Sequence, residues 1–169
     1  MAAESLTQTI VKERLDYDPD TGVVRWKVSP ARRVKIGDVA GYMSNTGYMS
    51  VEIFSKSYQL HRVIWLMVYG SFPDHVIDHI NGNRSDNRLV NLRAATNKQN
   101  GENQCLQVNN SSGFRGVSWH SSTNKWQARV CHHRSSYYLG TFDTAEEAAR
   151  VVKGARDLLF THHHTEHSA

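Results

Sequence analysis

Between Val76 and Asn100 the chain reads V-I-D-H-I-N-G-N-R-S-D-N-R-L-V-N-L-R-A-A-T-N-K-Q-N, and one histidine, two carboxylates and several amides fall close together in it. Asp78 and His79 are adjacent, and Asn100 follows a polar loop that contains Gly82. An imidazole with an unperturbed pKa of about 6.5 is largely unprotonated near neutral pH, which suits a general base. A carboxylate and an amide oxygen are hard ligands, suited to Mg2+ or Mn2+ that keeps several waters and also takes substrate phosphate oxygens. Hydrolysis of a phosphodiester needs a base for water, a cation against the phosphate charge, and fixed geometry between them. His79 takes the base role in this reading, and Asp78 and Asn100 hold the cation. Arg84, Arg88 and Arg93 read either as grips on flanking phosphates or as members of a solvated loop. His61 and His75 read as structural histidines, satisfied within the fold.

These groups need particular elements to carry them. Val76 and Ile77 predict a strand that delivers Asp78 and His79, and Thr96 is the expected N-cap of a helix that brings Asn100 back towards it. Consecutive strand residues face opposite sides, so Asp78 and His79 require a twist or bulge to meet one phosphate. Ahead of the strand, Leu60, Val63, Ile64, Met67 and Val68 recur at helical intervals and stop at Gly70. The segment from Val23 to Phe54 alternates β-branched and aromatic residues between glycines, which predicts short antiparallel strands. Leu6, Ile10, Val11 and Leu15 predict a first helix, ended by the turn Tyr17-Asp18-Pro19-Asp20-Thr21-Gly22.

The remaining 69 or so residues change character. Asn, Gln, Ser and Gly dominate from Asn100 to Gly113, a linker composition, so two domains are expected rather than one. Three strand-like stretches follow, Phe114 to His120, Lys125 to Cys131 and Ser136 to Phe142. A helix then begins at Thr144, which forms a capping box with Glu147. Ala145, Ala148, Ala149, Val152, Ala155 and Leu159 give that helix a small-residue face to lie on the sheet. In the second strand, alternation puts Trp126, Ala128 and Val130 on one side and Lys125, Gln127, Arg129 and Cys131 on the other. The long cationic and amide side chains suit contacts with phosphates and base edges; Arg115 and Trp119 join them as candidates on a face that parity alone does not fix.

Composition is consistent with an anionic partner: the 169 residues carry a formal charge of +4 and a pI near 9.2. From Ser111 to Gly140 the charged residues are Arg115, Lys125, Arg129 and Arg134, with no acid until Asp143. Two cysteines, Cys105 and Cys131, form no C-x-x-C pair, which excludes a four-cysteine structural zinc. No leader or long apolar run is evident, so a soluble intracellular protein without membrane contact or small-molecule cofactor is expected. The histidine-rich tail reads as a disordered terminus.

Two family resemblances sharpen these expectations. D-H-I-N-G-N, D-N-R-L-V-N-L-R and N-K-Q-N resemble the HNH nucleases of phages and group I introns. The resemblance implies a ββα-metal motif and a homing-type DNA endonuclease that nicks, acting in the cytoplasm of a bacterial host. His79 would be the base in the first strand, Asn91 the residue that orients it, and Asn100 and Asp78 the metal ligands. Asn91 on its own residues reads equally as a loop-stabilising asparagine, and the triad here closes on asparagine instead of histidine. The His61-Arg62 helix also resembles what precedes the motif in phage members. G-F-R-G-V-S-W, K-W-Q-A-R-V and Y-L-G-T-F-D-T-A-E-E-A-A-R resemble the Apetala/ethylene-response-factor domain from Ser112 to Phe160, which implies binding of double-stranded DNA through a sheet in the major groove. Ser118 and His120 stand where plant members have arginines, so no target preference follows.

The expected protein is α+β. It comprises a β-rich region and nuclease module over 1–104 with its ββα core at about 75–104, a linker at 105–112, a three-stranded antiparallel sheet packed on one helix over 113–161, and a tail at 162–169. The competing reading is a catalytically silent sequence-specific DNA-binding protein or regulator. No motif distinguishes monomer from homodimer.

Overall fold

The computed structural model describes residues 6–103, 110–133 and 135–161. The expected tail, Arg134 and all but residues 110–112 of the expected linker lie outside these. The chain divides into two compact units, Met1–Asn100 and Gly101–Ala169.

The first unit opens with helix α1 (Gln8–Arg14), capped by the Thr7 hydroxyl, which accepts from the Ile10 N–H. The helix stops one residue short of the expected Leu15, because Leu15 is already extended and begins strand β1 (Leu15–Tyr17). β1 pairs antiparallel with β2 (Val24–Trp26), with Leu15 opposite Trp26 and Tyr17 opposite Val24. The Asp18 carboxylate ties the connecting turn by accepting from Asp20 N, Thr21 N and the Thr21 hydroxyl, the local bonding for which Asx residues favour turns. A three-stranded sheet follows, β3 (Tyr42–Met43), β4 (Met49–Ile53) and β5 (Lys56–Gln59), in the order β3-β4-β5.

Helix α2 (Leu60–Tyr69) buries Leu60, Val63, Ile64, Leu66 and Met67, and ends where Gly70 turns left-handed and donates to Leu66 O. Strand β6 (Val76–His79) then forms a hairpin with β7 (Leu92–Ala95), through a loop closed by a 3-10 turn at Leu89–Asn91. Helix α3 (Asn97–Glu102) completes the strand-strand-helix order. Val11, Leu15, Val24, Trp26, Val51, Ile64, Ile77 and Leu92 belong to one core, so the hairpin is anchored by Ile77 on one strand and Leu92 on the other.

The second unit takes in the last two residues of α3 and is built on β8 (Val117–His120), β9 (Lys125–His132) and β10 (Ser135–Phe142), in the order β10-β9-β8 and antiparallel throughout. Helix α4 (Ala145–Leu159) is capped by Thr144, whose hydroxyl accepts from Glu147 N. Its Ala145, Ala148 and Val152 are buried with Val117 and Ala128. The small-residue face therefore reaches only part of the helix; Leu159, expected on it, is exposed. Close approach has a backbone counterpart at Gly116, which has φ +74° and where a Cβ would stand 2.4 Å from Arg129 O. No helix among the described residues is long and apolar enough to cross a membrane.

Candidate active site and nucleic-acid interface

Asp78 and His79 are the last two residues of β6, and both are buried. Of the expected twist or bulge, no bulge is present: register runs unbroken through Asp78 opposite Arg93 and His79 opposite Leu92. The pleat puts Asp78 on the side of Arg93 and His79 on the side of Leu92. His79 closes the strand, and the chain turns there as Gly82 N donates to His79 O at 2.8 Å. Arg93, expected to reach outward to phosphate, instead donates from Nε at 2.9 Å and Nη2 at 2.8 Å to Asp78 Oδ2.

The His79 ring is held by an amide. Its Nε2 lies 3.2 Å from Asn87 Oδ1, and Asn87 Nδ2 donates to Ser85 O at 3.4 Å, which fixes which amide atom meets the ring. An acceptor oxygen opposite Nε2 favours the neutral tautomer that is protonated there and carries its lone pair on Nδ1. Burial lowers the pKa of His79 below the ordinary histidine value, against the opposing pull of Asn87, Asp78 and Asp86. The ring is therefore neutral near pH 7. Tyr48 and His61 surround it, with centroids 5.9 and 5.1 Å away.

Asn87 was not singled out in the sequence, where it reads as one turn asparagine among several. The asparagine identified by resemblance, Asn91, acts on the loop: its Oδ1 accepts from Asn81 N at 3.0 Å and its Nδ2 donates to Asp86 O at 2.8 Å. Asp86 in turn accepts from Asn81 Nδ2 and binds the Arg88 guanidinium through both oxygens, which holds its pKa down to about 2. Arg88 is thus engaged within the loop. Arg84 donates to Thr46 O at 2.8 Å and lies over the Tyr48 ring at 4.8 Å.

The N-terminal hairpin pins the same loop from another direction. Tyr17 Oη donates to Asn87 O at 2.8 Å, and Leu89 N donates to Pro19 O at 3.1 Å. Burial pushes the Tyr17 phenol up to about 12, so it remains a donor. Gly22, at φ +73°, sits so close that a Cβ there would be 2.6 Å from Arg88 N and 2.7 Å from Asn87 C. Sequence patterns gave no sign of this packing.

On α3, Thr96 and Gln99 form a reciprocal capping box: Gln99 N donates to Thr96 Oγ1 at 3.2 Å and Thr96 N to Gln99 Oε1 at 2.8 Å. Asn100 follows, half-buried. Among the described residues no three His, Cys, Asp or Glu side chains form a metal cluster. A donor set of one carboxylate and one amide fits a hard ion that retains waters, not a thiolate- or imidazole-bound metal.

In the second unit the strand register sorts the candidates. Lys125 pairs with His120, Gln127 with Ser118 and Thr141, and Arg129 with Tyr138, so these side chains share one sheet face. Trp119 pairs with Trp126 at a ring distance of 5.2 Å and therefore lies on the opposite face, about half exposed. Arg115 precedes β8 and donates to Glu102 O and Gly101 O at 3.3 and 3.1 Å. Neither belongs with Lys125, Gln127 and Arg129, and Lys125 itself is ion-paired with Asp143 at 2.9 Å.

Residues 58–102 match the HNH endonuclease family model. Over 110 residues the chain is 31% identical to Protein 3.8 of Escherichia phage T7, an alignment covering 64% of this chain and 91% of that protein. The chain belongs to the HNH endonucleases. The HNH match takes in α2, the β6–β7 hairpin and α3, and so includes His61 as well as the ββα core. A second viral relative, an uncharacterized HNH endonuclease of Acanthamoeba polyphaga mimivirus, is 31% identical over 121 residues, 70% of this chain and 62% of that one. A solved structure described as DNA binding and cleavage by the HNH homing endonuclease I-HmuI is 26% identical, with a TM-score of 0.40 over 53% of this chain and 50% of that one. Residues 112–152 match the AP2 domain model, which covers the three strands and the start of α4. This HNH endonuclease is thus a DNA-cleaving enzyme with an AP2 domain, and DNA is its partner. HNH nucleases generally use a divalent metal ion.

Proposed function

We propose that this chain is a homing-type HNH endonuclease that nicks double-stranded DNA, with His79 as general base. A water proton passes to His79 Nδ1 as the water oxygen attacks phosphorus and the bond to the leaving oxygen breaks. Nε2–H keeps its contact with Asn87 Oδ1 meanwhile, and Asn87, Asp78 and Asp86 favour the cationic ring that results. Asp78 and Asn100 would hold the divalent ion, Mg2+ or Mn2+, which when bound offsets negative charge on the phosphate and the leaving oxygen. Asn91 is a positioning residue, since it closes the loop that carries Asn87.

One such centre serves one strand, hence a nick. The domain arrangement that goes with this reading is a nuclease module over 1–104, a linker at 105–112 and a DNA-binding module over 113–161. The second module reads DNA through the face bearing Lys125, Gln127 and Arg129, with Ser118, His120 and Tyr138 beside them. Arg84, Arg88 and Arg93 contribute first to the order of the site, and only by exchanging partners to phosphate binding. The phage relative supports action in the cytoplasm of an infected bacterium.

The observation that carries this reading is the buried His79 at the end of β6, held through Nε2 by the Asn87 amide oxygen and next in the chain to Asp78. Supercoiled plasmid incubated with protein and Mg2+ or Mn2+ tests it. The wild type is expected to convert the plasmid to open circle, and His79→Ala to do so about 100- to 10,000-fold more slowly. Equal nicking by the two proteins would refute the assignment.

A further inference from the structure

His61 is the second residue of α2 and is 4% exposed. Its ring meets His79 edge-to-face at 5.1 Å and Tyr48 at 5.3 Å, so three rings close on one another beside the strand end. Its sequence context suggests a satisfied structural histidine, but Nδ1 is buried without a hydrogen-bond partner.

That state is unfavourable. A neutral imidazole carries one N–H and one lone pair, and a buried nitrogen without a partner loses its hydration for nothing in return. A phenylalanine would wall His79 equally well without the loss. The charged form gives no explanation either: burial, His79 and Arg62 together press the His61 pKa down to about 3, so the ring is neutral wherever the enzyme works. What remains is a polar atom whose use lies in a later state of the same site.

We propose that His61 is a positioning residue of the cleavage reaction, whose ring fixes the plane of His79 and whose unpaired nitrogen gains a hydrogen bond to an oxygen of the hydrated scissile phosphate only when DNA is bound. The inference rests on His79 as base. Hydrogen bonds at active sites commonly tighten only in the loaded complex, and small displacements of a base cost large factors in rate. His61 then accepts lower stability in the free protein in exchange for order at the moment of reaction.

Two variants and one spectrum test this on the full chain. His61→Phe keeps a ring and removes the nitrogens; His61→Asn keeps a polar atom near the place of Nδ1. Expected for His61→Phe are an unchanged or higher Tm, a DNA Kd within about twofold of wild type, and a single-turnover rate lowered about 10- to 100-fold. His61→Asn should recover part of that rate. Wild-type cleavage by His61→Phe, or equal loss in both variants, overturns the proposal. Should His61→Phe fail to fold, 15N spectra of the wild-type ring in a Ca2+ complex with an uncleavable phosphorothioate duplex decide: a shift of the His61 nitrogens is expected, and unchanged nitrogens overturn it. His79→Ala serves as the control, because cleavage by that variant sinks the base assignment itself, whereas an inactive His79→Ala beside a fully active His61→Phe sinks only the present inference.

Discussion

Substituting Gly22 with alanine puts a methyl group 2.6 Å from Arg88 N and 2.7 Å from Asn87 C, on a residue whose φ of +73° already disfavours a side chain. The left-handed conformation costs alanine about 1–2 kcal/mol, and overpacking against backbone adds about 1–3 kcal/mol. A total of about 2–5 kcal/mol lowers the Tm of a unit this size by on the order of 10 °C or more. More informative is where the strain goes. The obstructing atoms are backbone and cannot rotate away, so the 87–88 segment must retreat by several tenths of an ångström to restore ordinary contact. Asn87 Oδ1 already stands 3.2 Å from His79 Nε2, and that much further movement takes the pair outside hydrogen-bonding distance.

The expected result is therefore a double effect, a lower Tm and a cleavage rate reduced about 10- to 100-fold even at temperatures where the variant is fully folded. Thermal melts give the first, and single-turnover nicking of supercoiled plasmid well below the new Tm gives the second. Asn87→Ala is the companion measurement, expected to lose rate to a similar extent with a smaller change in Tm. A Gly22→Ala protein that melts early but nicks at the wild-type rate would refute the chain of contacts from the N-terminal turn through Asn87 to His79.

Lowering the pH tests the buried His61 directly. Its folded pKa, about 3, lies below the ordinary 6.5, so stability is fully present above about pH 6.5 and is lost as the pH falls towards 3, by on the order of 3–5 kcal/mol; urea melts at pH 7 and pH 4.5 should show part of this difference, and His61→Phe should flatten it. Removing divalent metal with EDTA is expected to stop cleavage while leaving the melting curve in place, with recovery on adding Mg2+ or Mn2+; a large fall in Tm would instead make the ion a structural one. Binding of duplex DNA should weaken steeply with salt, and Arg129→Ala should lower the slope of log K against log salt by about 1. An unchanged slope would remove Arg129 from the phosphate-binding face.

Local chemistry explains which parts could be read beforehand. Asp78 and His79 declare themselves because a short run of residues fixes both their types and their strand. The capping box at Thr96 and the N-cap at Thr144 are equally local, each depending on a residue three positions on. The α2 boundary follows from apolar spacing and from Gly70. Asn87 escaped because its role depends on loop closure: eight residues separate it from His79, and D-N-R-L-V-N offers two asparagines without saying which reaches the ring. Trp119 escaped for a related reason, since only strand pairing with Trp126 tells which sheet face it takes.

The longest-range feature is also the most consequential for the chemistry. Seventy residues separate Tyr17 from Asn87, yet the hydrogen bond between them, with Gly22 packed alongside, sets the position of the amide that meets His79 Nε2. From the other side Arg84, anchored on Thr46 and Tyr48, holds the loop to the region just before β4. A hairpin this short has little core of its own, Ile77 and Leu92 apart, so an unsupported loop would sample many arrangements. Supports drawn from two distant segments remove that freedom before substrate arrives, which is what preorganised catalysis requires. The β-rich N-terminal region, in which no catalytic pattern is visible, therefore supports the loop beside His79 through its contacts, and with His79 as the proposed base it serves the chemistry.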